Sequence, residues 1–345
     1  MKYLVVILAI FLSTTILLSN SVSKSITNME NIHENSIAGE YTLGSSSPSG
    51  RAHLLIFTDR TFAIAYFGGI QTGKWEHEGN NMYKFTPHSK ETDFELFGRN
   101  NKQLCGSVKI AFIGFEDGNT FVQLRNSADE EYNMQQVFND NANCFAHPYV
   151  HTFNKSAKSI SFLSFGYLRK SNPIVTFNNS NGYNDFIAKY KQSDEPLKSF
   201  SATFENQTLN FEDGDSASQL PLDGDSKDIK AIKQFMDSQT NQKAIYCNPF
   251  YNMLGGLSDS LQIKDMKKTF TFNAEKNAYI DSAHYVEGQE IVESDQSYHN
   301  LSIIYSFEIL KDYTIHSIKY NVDKKNLFHA QCKELPIRKT KDSYF

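Results

Sequence analysis

The stretch from Gly39 to Gly98 constrains the fold more than any other part of the chain. It consists of short apolar runs, each closed by a turn signal. Asp59-Arg60 separates two runs and Glu78-Gly79-Asn80-Asn81 separates two more, and the glycine and asparagines can supply the positive φ of a tight hairpin. Period-two alternation with turns every eight to twelve residues, roughly, is typical of an antiparallel sandwich or barrel.

The same pattern continues to about Ser156. The runs Ser107–Phe115 and Thr120–Arg125 are joined by Glu116-Asp117-Gly118-Asn119, and an Asp-Gly pair predicts a hairpin. With a further strand at Tyr132–Phe138, the stretch holds about eight or nine strands, which is enough for a closed barrel or a two-sheet sandwich. We therefore predict a first domain over residues 37–156.

The sequence pattern changes beyond Ser156. A length of 345 residues also favours two domains. Asn181–Gln192 carries apolar residues at helical spacing, and Ser226 resembles the N-cap of another helix. Strands return after Cys247. With its many Phe and Tyr residues, which suit pleated surfaces, the chain is predicted to be mainly β. An antiparallel barrel or sandwich is followed by an antiparallel α+β domain over residues 157–345.

The N-terminus has the pattern of a secretory signal peptide. A basic Met1-Lys2 precedes an apolar run from Leu4 to Leu18 and then small residues, which predicts cleavage after Ser21 or Ser23. The run is shorter than the roughly 20 residues that span a bilayer, so we expect no membrane span. Residues 1–23 are then a signal peptide, residues 24–36 a flexible leader, and the protein is secreted or periplasmic.

The net charge and the absence of known catalytic motifs argue against several classes of partner and enzyme. The net charge is −5 and the chain has no basic tract, which disfavours nucleic acid and anionic membranes as partners. The sequence contains no G-x-S-x-G, no H-E-x-x-H and no Walker loop. No cofactor is predicted.

Four cysteines are an even number, and in an exported protein disulfides are favoured over free thiols. Three sets of pairs are possible in principle. Sequential pairing, Cys105 with Cys144 and Cys247 with Cys332, keeps each bridge within one predicted domain.

Cys144, His147 and His151 form the densest group of metal-type ligands, because sulfur and imidazole at short spacing suit zinc or copper. In an extended strand, the two histidines and Tyr149 would lie on one side. The alternative is an aromatic structural strand whose cysteine is in a disulfide.

A second metal hypothesis concerns carboxylates in a glycine-bearing loop. Asp213, Asp215, Asp223 and Asp225 offer hard oxygen ligands that suit calcium, although their order is not that of an EF-hand. The alternative is local, since Asp225 precedes the predicted helix and an acidic residue there complements the helix N-terminus.

Trp75, His77 and Tyr149 are the candidate ligand-binding residues. Trp75 is the single tryptophan of the chain. In a strand it shares a face with Gly73 and His77, and we expect the indole to lie over Gly73 and close one end of the core. The alternative is that the ring lines an open pocket and stacks on a ligand.

The order G-x-Y from Gly39, an apolar hairpin, Gly73-Lys74-Trp75 and Phe85-Thr86-Pro87 resembles an N-terminal module of uncharacterised exported bacterial proteins. It is also similar to lipocalin-type barrels, which carry a G-x-W. The resemblance covers about 60 residues; it implies a β-rich exported module and no catalytic residue.

Three functions remain open from the sequence. The first is an exported binding protein that presents aromatic side chains to a small molecule, a glycan or a protein. The second is a secreted hydrolase with carboxylates or a His/Asp pair that no motif reveals. The third is an envelope protein with a structural role and no ligand.

Overall fold

The structure is a computed structural model. It describes residues 37–44, 50–88, 92–117, 119–139, 145, 147–165, 172–191, 198–241, 243–251, 267–288, 302–323 and 325–329. The predicted signal peptide and leader lie outside these residues. Among the residues described, no helix has the length and apolar character that crossing a bilayer requires.

Strands dominate the chain, as the sequence predicts. In order they are β1 (Gly39–Leu43), β2 (Ala52–Ile56), β3 (Thr61–Tyr66), β4 (Gly69–Gly79), β5 (Met82–Pro87), β6 (Phe94–Arg99), β7 (Val108–Ile113), β8 (Asn119–Arg125), β9 (Asn133–Gln136), β10 (Val150–Phe153), β11 (Ser159–Phe165), β12 (Ile174–Asn178), β13 (Asp185–Tyr190), β14 (Phe200–Glu205), β15 (Thr208–Phe211), β16 (Ser216–Leu220), β17 (Ala244–Cys247), β18 (Thr271–Asn273), β19 (Ala278–Ile280), β20 (Ile303–Ile309), β21 (Tyr313–His316) and β22 (Asn321–Asp323). The described elements also include an α-helix, α1 (Lys227–Asn241), two 3-10 turns, Lys102–Leu104 and Phe115–Asp117, and a short helical segment at 267–269. The mainly β class is confirmed.

The chain divides into two compact units, and both are discontinuous in sequence. The barrel unit comprises Met1–Ser89 and Glu195–Met236, and the sandwich unit comprises Lys90–Asp194 and Asp237–Phe345. This division differs from the predicted boundary at residue 156. The physical reason is that β14 to β16 complete the barrel that β1 to β5 begin, and such non-local pairing leaves no trace in local turn signals.

The barrel unit is a closed antiparallel barrel of eight strands, in the order β1-β16-β15-β14-β5-β4-β3-β2. The predicted hairpins at its start are confirmed. Arg60 has a φ of 63°, and Asn80 and Asn81 have φ values of 50° and 56°, as tight turns between antiparallel strands require. Closure comes from β14 beside β5, with Phe200 opposite Phe85, and from β16 beside β1.

The barrel interior is filled by side chains. Trp75 is 1 % exposed, and its Nε1 donates a hydrogen bond to the carbonyl oxygen of Phe57 at 3.1 Å. The prediction that Trp75 is a core residue is therefore confirmed, but its predicted contact with Gly73 is wrong. The ring of Phe62 occupies the space over Gly73, so that a Cβ there would collide with Phe62 and with the Thr86 carbonyl. The buried residues of this core are Ile37, Tyr41, Leu54, Ile56, Phe62, Trp75, Tyr83, Phe85, Ala202, Leu209 and Ala217.

Helix α1 begins as the sequence predicts. The Ser226 hydroxyl accepts a hydrogen bond from the Ile229 amide at 3.2 Å, and the Ser226 carbonyl accepts one from the Lys230 amide. This is N-capping, which satisfies backbone donors that have no partner within the helix. Its apolar residues pack against a second cluster of the barrel unit that contains Leu55, Phe57, Ala63, Ile229 and Met236.

The sandwich unit contains two sheets. One has the order β10-β7-β13-β6-β20-β19-β18, with β17 also paired to β20, and we call it the eight-stranded sheet. The other, the six-stranded sheet, has the order β21-β12-β11-β8-β9-β22. Most pairs are antiparallel, and β13 with β7 and β22 with β9 are parallel. Both sheets contribute to one core, whose most buried members include Leu96, Ile110, Phe112, Phe115, Ile160, Phe162 and Phe186.

Two local predictions for this unit are wrong. Residues 185–190 form the strand β13 and not a helix, since β13 lies between two strands and nearly all of its side chains are buried. A strand with two buried faces lacks the period-two pattern. The turn at residues 116–119 does not close a hairpin, because β7 and β8 belong to different sheets. Phe115, 0 % exposed, lies in the shared core at the crossing.

Candidate functional site

The predicted ligand residues belong to different units. Trp75 lies in the filled barrel, and His77, on the same strand, is exposed with its ring 4.9 Å from that of Tyr83. Tyr149 belongs to the sandwich unit, where its half-buried ring contacts Phe138 at 5.2 Å. Tyr149 is therefore explained as a packing residue of the aromatic cluster that it forms with Phe138, Phe145 and Phe328.

The predicted Cys/His metal group is only partly described, because Cys144 lies outside the described residues. His151 is on β10, and burial lowers its pKa. His147 precedes that strand, so the predicted alternation of both histidines along one strand is not what the structure shows. Over the described part of the chain, no three His, Cys, Asp or Glu side chains are placed to hold a metal ion.

The four aspartates of the calcium hypothesis are exposed and have local roles. Asp213 accepts a hydrogen bond from the Asp215 amide in the turn between β15 and β16. Asp223 does the same for the Asp225 amide, and the Asp225 carboxylate lies 3.1 Å from the Lys230 ammonium. These contacts shape a turn and the start of α1, as the local alternative predicts.

The cysteine pairings stay predictions. Cys105 is exposed, Cys247 is buried, and both are free thiols in the structure. Their predicted partners, Cys144 and Cys332, lie outside the described residues.

The structure reveals one surface that the sequence does not: a row of aromatic rings at the far end of the eight-stranded sheet. Phe272 lies opposite Tyr279, and Tyr279 lies opposite Ile304. Ser306, two residues beyond Ile304 on β20, lies opposite Tyr246 of β17. Directly opposed residues share a face, as do residues two apart on a strand. Phe272, Tyr279 and Tyr246 therefore point to the same side of the sheet.

We call these three rings and Lys267 the aromatic ridge. The ring centroids of Phe272 and Tyr279 are 5.3 Å apart, and those of Tyr279 and Tyr246 are 5.9 Å apart. Adjacent rings are inclined at 62° and 60°, so the surface is ridged and not flat. Phe272 is 50 % exposed, and both tyrosines are half-buried.

Lys267 supplies a cation to the aromatic ridge. Its ammonium lies 5.6 Å from the centroid of Tyr246 and 5.8 Å from that of Tyr279, within cation–π range. A hydrogen bond with Tyr246 raises the pKa of Lys267, so the side chain stays charged at neutral pH. The ridge thus combines apolar ring surface, phenol hydroxyls and one positive charge.

A polar pair continues the same face of the sheet. Glu308 lies two residues beyond Ser306, and its carboxylate accepts a hydrogen bond from the Tyr183 hydroxyl at 2.6 Å. The Tyr183 ring lies over Gly98, where a Cβ would meet it at 2.5 Å. Burial and the hydrogen bond to Glu308 raise the pKa of Tyr183 to about 12.

One His/Asp pair bears on the hydrolase alternative. His284 Nδ1 lies 2.7 Å from Asp281 Oδ2, and this contact lowers the pKa of Asp281. The two residues are three apart in a turn, and the His284 side chain is 78 % exposed. A local pair whose histidine lies in solvent is sufficiently explained as a turn contact.

No protein-family model, no curated protein and no solved structure matches this chain.

Proposed function

We propose that the protein is an exported binding protein that presents the aromatic ridge to a glycan, a small molecule or a protein. The ridge is the observation that carries this proposal, since half-exposed rings in a row have area to bury against a ligand. Aromatic side chains bury large areas, and phenol hydroxyls retain a hydrogen-bonding group at the edge of that area.

A glycan fits the ridge best among the three ligand classes. Inclined rings offer alternating faces and edges, which suit a chain of linked sugar rings better than one flat aromatic molecule. The Lys267 ammonium and the two phenols supply donors for sugar hydroxyls or for an acidic sugar.

Binding to a glycan array tests the proposal. The labelled full-length protein should bind a subset of glycans, and Phe272→Ala together with Tyr279→Ala should weaken that binding by about tenfold or more, equivalent to about 1.4 kcal/mol. Phe67→Ala is the matched control, because Phe67 is 83 % exposed and lies in the barrel unit. Equal loss in both variants, or no loss in the ridge variant, would contradict a role for the ridge.

A ligand of another class should be visible by native mass spectrometry of protein purified from its own source. A retained small molecule that the ridge variant loses would assign the ridge to that molecule. A retained molecule that the variant keeps would place binding elsewhere.

Export is part of the proposal and has its own test. The mature chain should begin at Val22 or Lys24, and Cys105–Cys144 and Cys247–Cys332 should be disulfides. N-terminal sequencing and thiol titration of the denatured exported protein check both points. An intact Met1 would contradict export, and four titratable thiols would contradict the pairings.

A further inference from the structure

A buried charged row lies on the face of the eight-stranded sheet that is opposite to the aromatic ridge. Asp185 of β13 is flanked by Arg99 of β6 and by Lys109 of β7. The side chain of Asp185 is 1 % exposed, that of Arg99 is 4 % exposed and that of Lys109 is 24 % exposed. Charges this deep in a protein require compensation.

The Asp185 carboxylate is already satisfied without Lys109. Its Oδ2 accepts hydrogen bonds from Arg99 Nε at 2.9 Å and from Asn101 Nδ2 at 3.2 Å. Its Oδ1 accepts one from the Tyr251 hydroxyl at 3.0 Å. Arg99 also donates to the Asn277 carbonyl and stacks over the Tyr305 ring at 3.7 Å. Arg99 and Asp185 thus form a complete pair.

Lys109 is a second cation beside the Asp185 carboxylate. Its Nζ lies 3.8 Å from Asp185 Oδ2, which is beyond hydrogen-bond length, and 5.2 Å from the centroid of the Tyr251 ring. In the described part of the chain, that ion pair and that ring are the contacts of its ammonium. The charge of Lys109 is therefore compensated less well than that of Arg99.

No neighbouring acid supplies the missing negative charge. Burial and Asp185 raise the pKa of the Tyr251 phenol, which stays neutral. Cys247 carries no charge either, because burial raises the pKa of its thiol and the disulfide proposed above has no ionisable group. Burial lowers the pKa of Lys109, and Arg99 adds to that effect against the opposing attraction of Asp185. Desolvation and a nearby cation are the conditions that turn a lysine into a nucleophile.

We propose that Lys109 is a reactive amine that condenses with small aldehydes. The neutral Nζ attacks the carbonyl carbon and forms a C–N bond, the C–O bond breaks, and the oxygen leaves as water with the two amine hydrogens. The product is an imine. The Lys109 side chain is 24 % exposed, which admits a small aldehyde, and the Tyr251 ring offers that aldehyde an apolar surface. Asp185 stabilises the protonated imine. Asp185 is here a positioning residue.

Reductive labelling of the full-length protein tests this inference. The protein is treated with pyridoxal and cyanoborohydride at neutral pH, and modified lysines are located by peptide mass spectrometry. The neutral fraction of an amine grows about tenfold for each unit by which its pKa falls, so Lys109 should be labelled severalfold faster than the exposed Lys74 and Lys227. Its labelling should also persist to lower pH.

Lys109→Arg is the control, since it keeps the charge and should abolish the fast label alone. Lys109 labelling no faster than Lys74 and Lys227 would overturn the inference. The wild-type protein carries the decisive comparison, so the result does not depend on whether a variant folds. The site is separate from the aromatic ridge, and failure of one proposal leaves the other standing.

Discussion

Trp75 fills the barrel with its ring and anchors it with one hydrogen bond to the Phe57 carbonyl. Trp75→Ala should lower the free energy of unfolding by about 3–5 kcal/mol, because it leaves a large cavity in a packed interior. Urea unfolding measures this, with the exposed Phe67→Ala as a control of small effect.

The single tryptophan also reports its own surroundings. The emission of the native protein should be blue-shifted and resistant to acrylamide, because the indole is 1 % exposed. A red-shifted emission that acrylamide quenches readily would contradict a filled barrel.

From the raised pKa of Tyr183 we expect the folded protein to lose stability in alkali. Burial and the bond to Glu308 raise its pKa to about 12, above the usual value near 10. The folded protein therefore holds this proton more tightly than the unfolded chain. The stabilisation is complete below about pH 10 and is lost as the pH rises towards 12. The difference in unfolding free energy between wild type and Tyr183→Phe should shrink over that range, and a constant difference would contradict the assignment.

At the scale of single elements, Ser226 is the clearest test of a local rule. Ser226→Ala removes the acceptor for the Ile229 amide and should cost about 1 kcal/mol of stability, within a range of about 0.5–2 kcal/mol. Ser226→Asp should retain most of it, since aspartate is also a good N-cap. Urea unfolding of both variants decides the point, and a Ser226→Ala protein as stable as the wild type would show that the cap is unimportant.

Elements with one buried face could be predicted from the sequence, and elements with two could not. The hairpins at Asp59-Arg60 and Glu78–Asn81 and the amphipathic helix α1 follow from turn residues and periodicity. Strand β13 has both faces buried. Its apolar residues at 186, 187 and 190, together with Tyr183 before the strand, have the spacing of a helix. The Asp-Gly signal after β7 predicts a hairpin, but β8 belongs to the other sheet, and Phe115 before it is buried in the core that both sheets share.

The candidate site shows the same limit. Phe272, Tyr279 and Tyr246 come from three strands, and two of them meet only because β17 and β19 both pair with β20. The sequence predicts strands near Phe272 and Tyr279 but not at Tyr246, and a shift of one residue in register would turn every ring to the other face. The charged row of Arg99, Lys109 and Asp185 was missed for that reason too. Its only signal is a charge at the end of each apolar run.

At the scale of the whole molecule, the discontinuous barrel predicts which fragments of the chain fold. In the register that places Phe200 opposite Phe85, the end of β5 and the start of β14 are neighbours. A fragment of residues 37–241 in which residues 90–194 are replaced by a short Gly/Ser linker should therefore fold, with Trp75 buried. Circular dichroism and tryptophan emission measure this.

A second fragment, residues 37–156, corresponds to the first domain predicted from the sequence. Residues 37–156 lack β14 to β16, which leaves β1 and β5 each with one unpaired edge, and we expect this fragment to be unfolded or aggregated. A folded 37–156 fragment together with an unfolded linked barrel would contradict the division into units.

The split barrel also sets an order on biosynthesis. A ribosome releases β1 to β5 first and reaches Phe200 only after it has made the whole segment that separates the two halves. At common rates of translation that interval is on the order of ten seconds. For that time the nascent barrel has two open edges and an incomplete interior, which invites capture by a chaperone or pairing with another nascent chain. Slowing translation between the halves should therefore lower the yield of soluble protein.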